Sequence, residues 1–194
     1  ATSFNVYYAR SRFELIYNGV PAIHGDRDAS RLRLGEINEV SFSDSAKVFL
    51  NVGRYDHQKN RSLLISAFEK IFEYDADCIL LLVGGVADES NPTYAEVAAH
   101  ELTKQDKVFM VGDVSNVHDF YLVSDYFISS SLFEGLPLAL LEALSAGLVC
   151  IGTPAGGATG ILRKIGFLSP DFSPEELAAS AKKALRLGNS TKNH

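Results

Sequence analysis

Four charged residues in this sequence stand where chemistry could be done. Glu134 and Glu142 flank a run of apolar residues, and Arg54 and Lys59 follow another apolar segment. From Gly135 to Ala146 nearly every side chain is apolar, and Glu142 is the single charge. An ionised carboxylate on such a segment is costly to bury unless something pairs with it. Glu142 therefore needs hydroxyl donors, and a ribose diol or a sugar is the ordinary supplier. Pro137 suits the first turn of a helix and Gly147 its stop. The segment reads as a buried helix with an open N-terminus, and Glu134 sits just ahead of it. Unpaired N–H groups and the helix dipole both favour an anion there.

Arg54 and Lys59 come after residues 47–53, a strand-like segment that ends in Gly53. Lysine is disfavoured at a helix start, where the dipole repels it. Two cations at the carboxyl end of a strand, one of them against the dipole, suggest a polyanion between them. Two solvated surface charges fit the local sequence equally well. Other chemistry has less behind it. His24, His57 and His118 show no metal-ligand spacing with other His, Cys or Asp, so no metal site is expected. Ser129, Ser130 and Ser131 lack the glycines of a nucleophile elbow. Glu134 and Glu142, taken as an acid–base pair, lie two helical turns apart, and only one need face a cleft. No glycine-rich stretch has the spacing of a dinucleotide fingerprint or a P-loop, and Gly84 with Gly85 only permits close backbone approach.

The elements that must hold these residues follow from periodicity. Strands are expected at 13–20, 47–53, 78–83, 108–111, 125–130 and 148–152, the third apolar on both faces as in a buried parallel sheet. Helices are expected at 60–72, at 94–103, at 117–124 with Ser115 or Asn116 as cap, and over the Glu142 segment. A last helix starts with Ser173 as cap and Pro174 at its first position, and runs to about Leu187. Residues 21–46 read as a long loop with a helical turn near 31–40, and residues 153–160 as a loop. Strand and helix alternate about six times. This predicts the α/β class: a Rossmann-like open parallel sheet of about six strands with helices on both faces. In such sheets ligands bind beyond the carboxyl ends of the strands, at a switch in strand order.

Bulk composition agrees with one compact domain over residues 1–194. Hydrophobic residues make up 46% and charged ones 22% of the chain, a folded rather than a disordered profile. A net charge of −6 argues against a broad nucleic-acid footprint, so any anion site must be a local cluster. Cys78 and Cys150 lie inside apolar strands and are expected to be buried free thiols. No apolar run reaches the roughly eighteen residues of a membrane helix. Residues 1–10 have no signal-peptide core and no initiating Met, so a cytoplasmic chain cut from a longer one is expected.

The motifs taken in order are more specific than any one alone. They run Asn18-Gly-Val20, Val52-Gly-Arg-Tyr-Asp-His-Gln-Lys-Asn60, Leu82-Val-Gly-Gly85, Val111-Gly-Asp-Val114, Ser131-Leu-Phe-Glu-Gly-Leu-Pro-Leu-Ala-Leu-Leu-Glu-Ala-Leu144 and Gly156-Gly157. Over about residues 15–187 this resembles the carboxyl-terminal, donor-binding domain of a retaining GT-B glycosyltransferase of family four, the glycosyl transferases group one. The resemblance implies half of a GT-B fold. It also implies sugar transfer from a nucleotide-diphosphate sugar to an acceptor, with retention and with neither metal nor other cofactor. Under it, Arg54 and Lys59, beside Gly53, hold the pyrophosphate and stabilise the departing diphosphate, and Glu142 binds the ribose. Glu134, with the backbone of Gly135, Leu136 and Leu138, positions the donor sugar and the distal phosphate. Val114 meets the base through its main chain. Glu134, Arg54 and Lys59 are then the catalytic set.

The resemblance has departures. The family's Gly-Asp-Gly-Pro is here Gly84-Gly-Val-Ala87, and its Glu after the Gly-Gly pair is here Gly160, which leaves the base contacts and the anchoring of the last loop in question. The family's amino-terminal, acceptor-binding domain is expected to be absent from this chain, leaving a fragment that binds donor and transfers nothing. The family's common setting is polysaccharide or lipopolysaccharide assembly at the inner face of a membrane. Two other readings stay open: a GT-B nucleotide-sugar epimerase, and a non-catalytic flavodoxin-like binding domain. The latter would want clustered acidic residues at strand ends, which the sequence does not display.

Overall fold

A computed structural model describes residues 19–191 apart from 39 and 41. The apolar and β-branched runs form six strands: β1 Lys47–Val52, β2 Cys78–Val83, β3 Val108–Gly112, β4 Tyr126–Ser129, β5 Val149–Gly152 and β6 Phe167–Leu168. All pair in parallel, in the order β3-β2-β1-β4-β5-β6. β1 and β2 are in register from Lys47 against Cys78 to Val52 against Val83. Eight helices accompany them among the described residues: α1 Arg27–Asn38, α2 Arg61–Tyr74, α3 Pro92–Ala99, α4 Glu101–Lys104, α5 His118–Val123, α6 Leu138–Ser145, α7 Gly156–Ile165 and α8 Pro174–Thr191.

Alternating strand residues feed two cores, because successive side chains point to opposite faces. On one face Phe49, Leu80 and Leu82 pack with Leu64, Phe68 and Ile71 of α2 and with Leu177 and Ala181 of α8. On the other, Val48, Leu50 and Leu81 pack with Leu34 of α1, Phe120 of α5, Leu140 and Ala143 of α6, and Leu162 of α7. The sheet is therefore covered on both sides, as the alternation of elements predicts. Cys78 and Cys150 are buried free thiols, and burial pushes both up to about 12.

Several elements differ from expectation. The strand expected at 13–20 lies almost wholly outside the described residues, and the sixth strand is instead β6 at the far edge. Residues 21–46 hold a three-turn helix, α1, pinned by ion pairs that periodicity does not register. Arg27 reaches Asp125 at 2.9 Å, and Arg33 grips both oxygens of Asp119 at 2.5 and 3.0 Å. Residues 153–160 are not all loop, since α7 begins at Gly156. The helix expected at 94–103 is two, broken at His100, whose backbone is extended and whose Nδ1 accepts from Leu102 N at 3.3 Å. α6 is buried along one face only, at Leu140 and Ala143, with Pro137 as its N-cap and Leu138 exposed. The N-cap of α5 is Val117, with no side-chain bond, although Asn116 Oδ1 accepts from His118 N at 3.1 Å. Among the described residues no helix is long and apolar enough to cross a membrane.

Candidate functional site

β1 and β4 are neighbours, yet the chain leaves β1 toward β2 and leaves β4 toward β5. Residues 53–60 after β1 and residues 130–137 after β4 therefore meet at the carboxyl edge of the sheet, at the switch in strand order where such folds bind ligands. Two backbone-directed bonds lace the loops together: Ser130 Oγ donates to Lys59 O at 2.7 Å, and Leu132 N donates to Gln58 O at 2.9 Å.

Glu134 lies at the centre of this edge, its side chain only 9% exposed. Lys59 Nζ donates to Oε1 at 2.6 Å, and Ser131 Oγ donates to the same oxygen at 2.8 Å. Gln58 Nε2 donates to Oε2 at 3.3 Å. Ser131 is itself held by Thr153 Oγ1, which donates to its carbonyl at 2.5 Å. The stem of Lys59 passes over Gly53, where a Cβ would stand 3.1 Å from Lys59 Cγ. Lysine at this helix start therefore has a partner inside the chain, which offsets the dipole's repulsion. A polyanion is not required to explain its position.

Arg54 is at the same edge with its side chain 75% exposed, pairing with Asp56 at 3.0 Å. A pair so exposed contributes little, so the guanidinium is free to turn toward a ligand. The N-terminus of α6 opens beside Glu134. Gly135 and Leu138 are exposed, Leu136 is half-buried, and Pro137 offers no side-chain cap to the first N–H groups. The N-terminus of α7 abuts the same spot, with Gly157 N donating to Glu134 O at 3.0 Å. That bond and the Thr153 contact anchor the last loop where a family Glu is lacking. At Gly160 a Cβ would meet nothing within 4 Å.

Glu142 is half-buried and corrects one expectation. The hydroxyl it needs is already present, because Tyr121 Oη donates to Oε2 at 2.8 Å. Burial first, and then this contact, pushes the Tyr121 hydroxyl well above its ordinary range, so it remains a donor. Oε1 of Glu142 has no protein partner among the described residues. Val114 stands further along the edge, after β3. With Asp113, Ser115, Asn116 and Arg33 it lines a pocket of about 320 Å³. The β2 loop separates it from Lys59. Gly84 and Gly85 hold positive φ there, Gly85 N donates to Asp113 Oδ1 at 2.7 Å, and a Cβ on Gly85 would crowd Arg54 Cα at 3.3 Å.

Sequence reasoning passes over three residues that shape this edge: Gln58 and Tyr121, which carry no signal, and Arg61. Arg61 is fully buried. Its guanidinium donates to Gly53 O at 2.8 Å, Val83 O at 2.9 Å and Gly84 O at 3.0 Å, and stacks on Tyr55 at 4.0 Å. Burial lowers its pKa, and the carbonyls at the ends of β1 and β2 offset that desolvation. Arg61 thus ties together the two loops that carry Arg54 and Gly85. Like Lys59 it opposes the helix dipole, and that placement is its one sequence signal.

Residues 35–194 match the profile of a family described as glycosyl transferases group 1. Among curated proteins, an uncharacterized glycosyltransferase of Methanocaldococcus jannaschii is 35% identical over 112 residues, which is 58% of this chain and 27% of that protein. The N-acetyl-alpha-D-glucosaminyl L-malate synthase of Bacillus anthracis is 28% identical over 153 residues, 77% of this chain and 38% of that enzyme. Among solved structures, Anabaena HepE in complex with UDP and glucose superposes with a TM-score of 0.69 at 20% identity, covering 89% of this chain and 47% of that one. The chain thus spans well under half the length of these curated relatives. The Rossmann-like α/β architecture is the one that GT-B glycosyltransferases share.

Proposed function

The chain belongs to the glycosyl transferases group 1 family, and from that premise we propose that it is the donor-binding domain of a retaining, metal-independent glycosyltransferase. The observation that carries this reading is the Lys59–Glu134 pair at 2.6 Å, set at the open N-terminus of α6 on the strand-order switch. A nucleoside diphosphate-sugar fits that chemistry. Its phosphates would face Lys59, the exposed Arg54 and the bare N–H groups of α6. Its sugar hydroxyls would meet Glu134, and its ribose would meet the open oxygen of Glu142. The base would lie toward the pocket beside Val114. The likeness to a protein holding UDP and glucose supports this class of ligand.

Transfer from such a donor develops negative charge on the departing diphosphate. A cation about 4 Å away contributes about 4 kcal/mol at an effective dielectric near 20. Arg54 and Lys59 together would take the part a divalent metal plays elsewhere. The acceptor would be bound by a second domain facing this edge, with the diphosphate helping to take the acceptor's proton on the same face. The 194-residue chain alone is expected to bind donor without transferring sugar; turnover by it would overturn that part of the reading.

Calorimetric titration with UDP, GDP and their hexose conjugates tests the site. Removing a charged hydrogen-bond partner costs about 1.5–3 kcal/mol, so Arg54→Ala and Lys59→Ala should each weaken diphosphate binding about 10- to 100-fold. Affinities unchanged in both variants would sink the phosphate assignment.

A further inference from the structure

We infer that Gln58 is a positioning residue, which keeps the Glu134 carboxylate in place when the donor's phosphates draw Lys59 toward themselves. The inference rests on the donor-binding reading above and adds to it. Glu134 is nine-tenths buried, and Lys59 is its one cationic partner among the described residues. A carboxylate so placed is strongly destabilised when its cation leaves, unless other donors remain. Two do remain, one on each oxygen: Ser131 Oγ on Oε1 at 2.8 Å and Gln58 Nε2 on Oε2 at 3.3 Å. Both are neutral donors to a charged acceptor, the stronger kind of hydrogen bond.

Gln58 is built to stay. Its carbonyl accepts from Leu132 N at 2.9 Å, which fixes its backbone to the opposite loop. Its side-chain nitrogen has two hydrogens, and two acceptors face it: Phe133 O at 3.0 Å and Glu134 Oε2 at 3.3 Å. A flipped amide would turn its oxygen against both, so this orientation is enforced by charge. Lys59 is different. Its ammonium carries three hydrogens, its side chain is 21% exposed, and one phosphate suffices to engage it. Lys59 thus serves the diphosphate, while Gln58 and Ser131 hold Glu134 for the sugar hydroxyls.

The test compares paired ligands, UDP with UDP-glucose and GDP with GDP-mannose, on the wild-type chain and on Gln58→Ala, Gln58→Glu and Ser131→Ala. Melting curves of each variant confirm folding. In Gln58→Ala the affinity for the plain diphosphate should stay within about twofold, while the ratio of the two dissociation constants shifts about tenfold against the sugar conjugate. Gln58→Glu keeps the length but sets a second carboxylate against Glu134, and should shift that ratio at least as far. Ser131→Ala should shift it in the same direction. Equal weakening of both ligands would show a merely structural role and overturn the inference, as would an unchanged ratio. If the wild-type chain binds none of the four ligands, the donor-binding reading itself fails; if it binds and only the Gln58 ratio stays fixed, the failure is confined to Gln58.

Discussion

A single oxygen of Glu142 divides what the protein supplies from what a ligand is left to supply. Tyr121 donates to Oε2 at 2.8 Å, and Oε1 is left for another donor. A hydroxyl deep in the fold thus aims the carboxylate before any ligand arrives. Glu142→Gln should weaken nucleoside diphosphate binding about tenfold, yet leave inorganic pyrophosphate binding unchanged, because only the former has a ribose; titration with both reads the difference, and equal affinities would remove Glu142 from the site. Tyr121→Phe leaves a half-buried carboxylate oxygen without its donor. It should lower stability by about 1–3 kcal/mol in denaturant unfolding and weaken nucleotide binding alongside. Neither Tyr121 nor Gln58 is marked in the sequence, since a tyrosine on an apolar helix face and a glutamine in a polar loop are ordinary. Arg54, Lys59, Glu134 and Glu142 stood out because charge beside apolar runs is not.

Two short helices converge on Glu134, and the second was hidden by its composition. Glycine in a helix is disfavoured by about 1 kcal/mol per residue, so Gly156, Gly157 and Gly160 look like loop. Tertiary contact overrides that preference. A Cβ on Gly157 would stand 1.5 Å from Gly135 O, and one on Gly156 would stand 2.2 Å from Glu134 O. The start of α7 is glycine because the Glu134 turn lies directly against it. Gly157→Ala must therefore push that turn outward. It should cost about 1–3 kcal/mol of stability, as overpacking does, and reduce donor affinity more than tenfold. Gly160→Ala, with nothing within 4 Å, is the contrasting case: it should keep affinity and raise stability, by up to about 1 kcal/mol. Thermal melts and titrations of the two variants side by side check both outcomes.

Across the whole molecule, α1 is fastened to the sheet's second face by charge. Asp119, its side chain 10% exposed, receives Arg33 on both oxygens and Ser30 Oγ on Oδ1 at 2.8 Å. The Arg33 guanidinium holds this carboxyl below the usual aspartate range, with Ser30 adding to the effect. A folded-state pKa below the unfolded one gives stability that is present above the unfolded value, near 4, and is lost as pH falls through the folded value. Urea midpoints measured from about pH 7 down to 3 should therefore fall on the acid side, and Asp119→Asn should start lower and show a shallower acid limb. The sequence by itself determined the parallel α/β class with helices on both faces, and it singled out four charged residues as candidates, because period-2 and period-3.6 patterns and isolated charges are local properties. Only the tertiary structure decided that Lys59 meets Glu134, that Tyr121 meets Glu142, that Arg61 binds three carbonyls, and that residues 27–38 and 156–165 are helices. Each of these is, or is fixed by, a contact between segments apart in the chain, and no local pattern encodes where such partners come to lie.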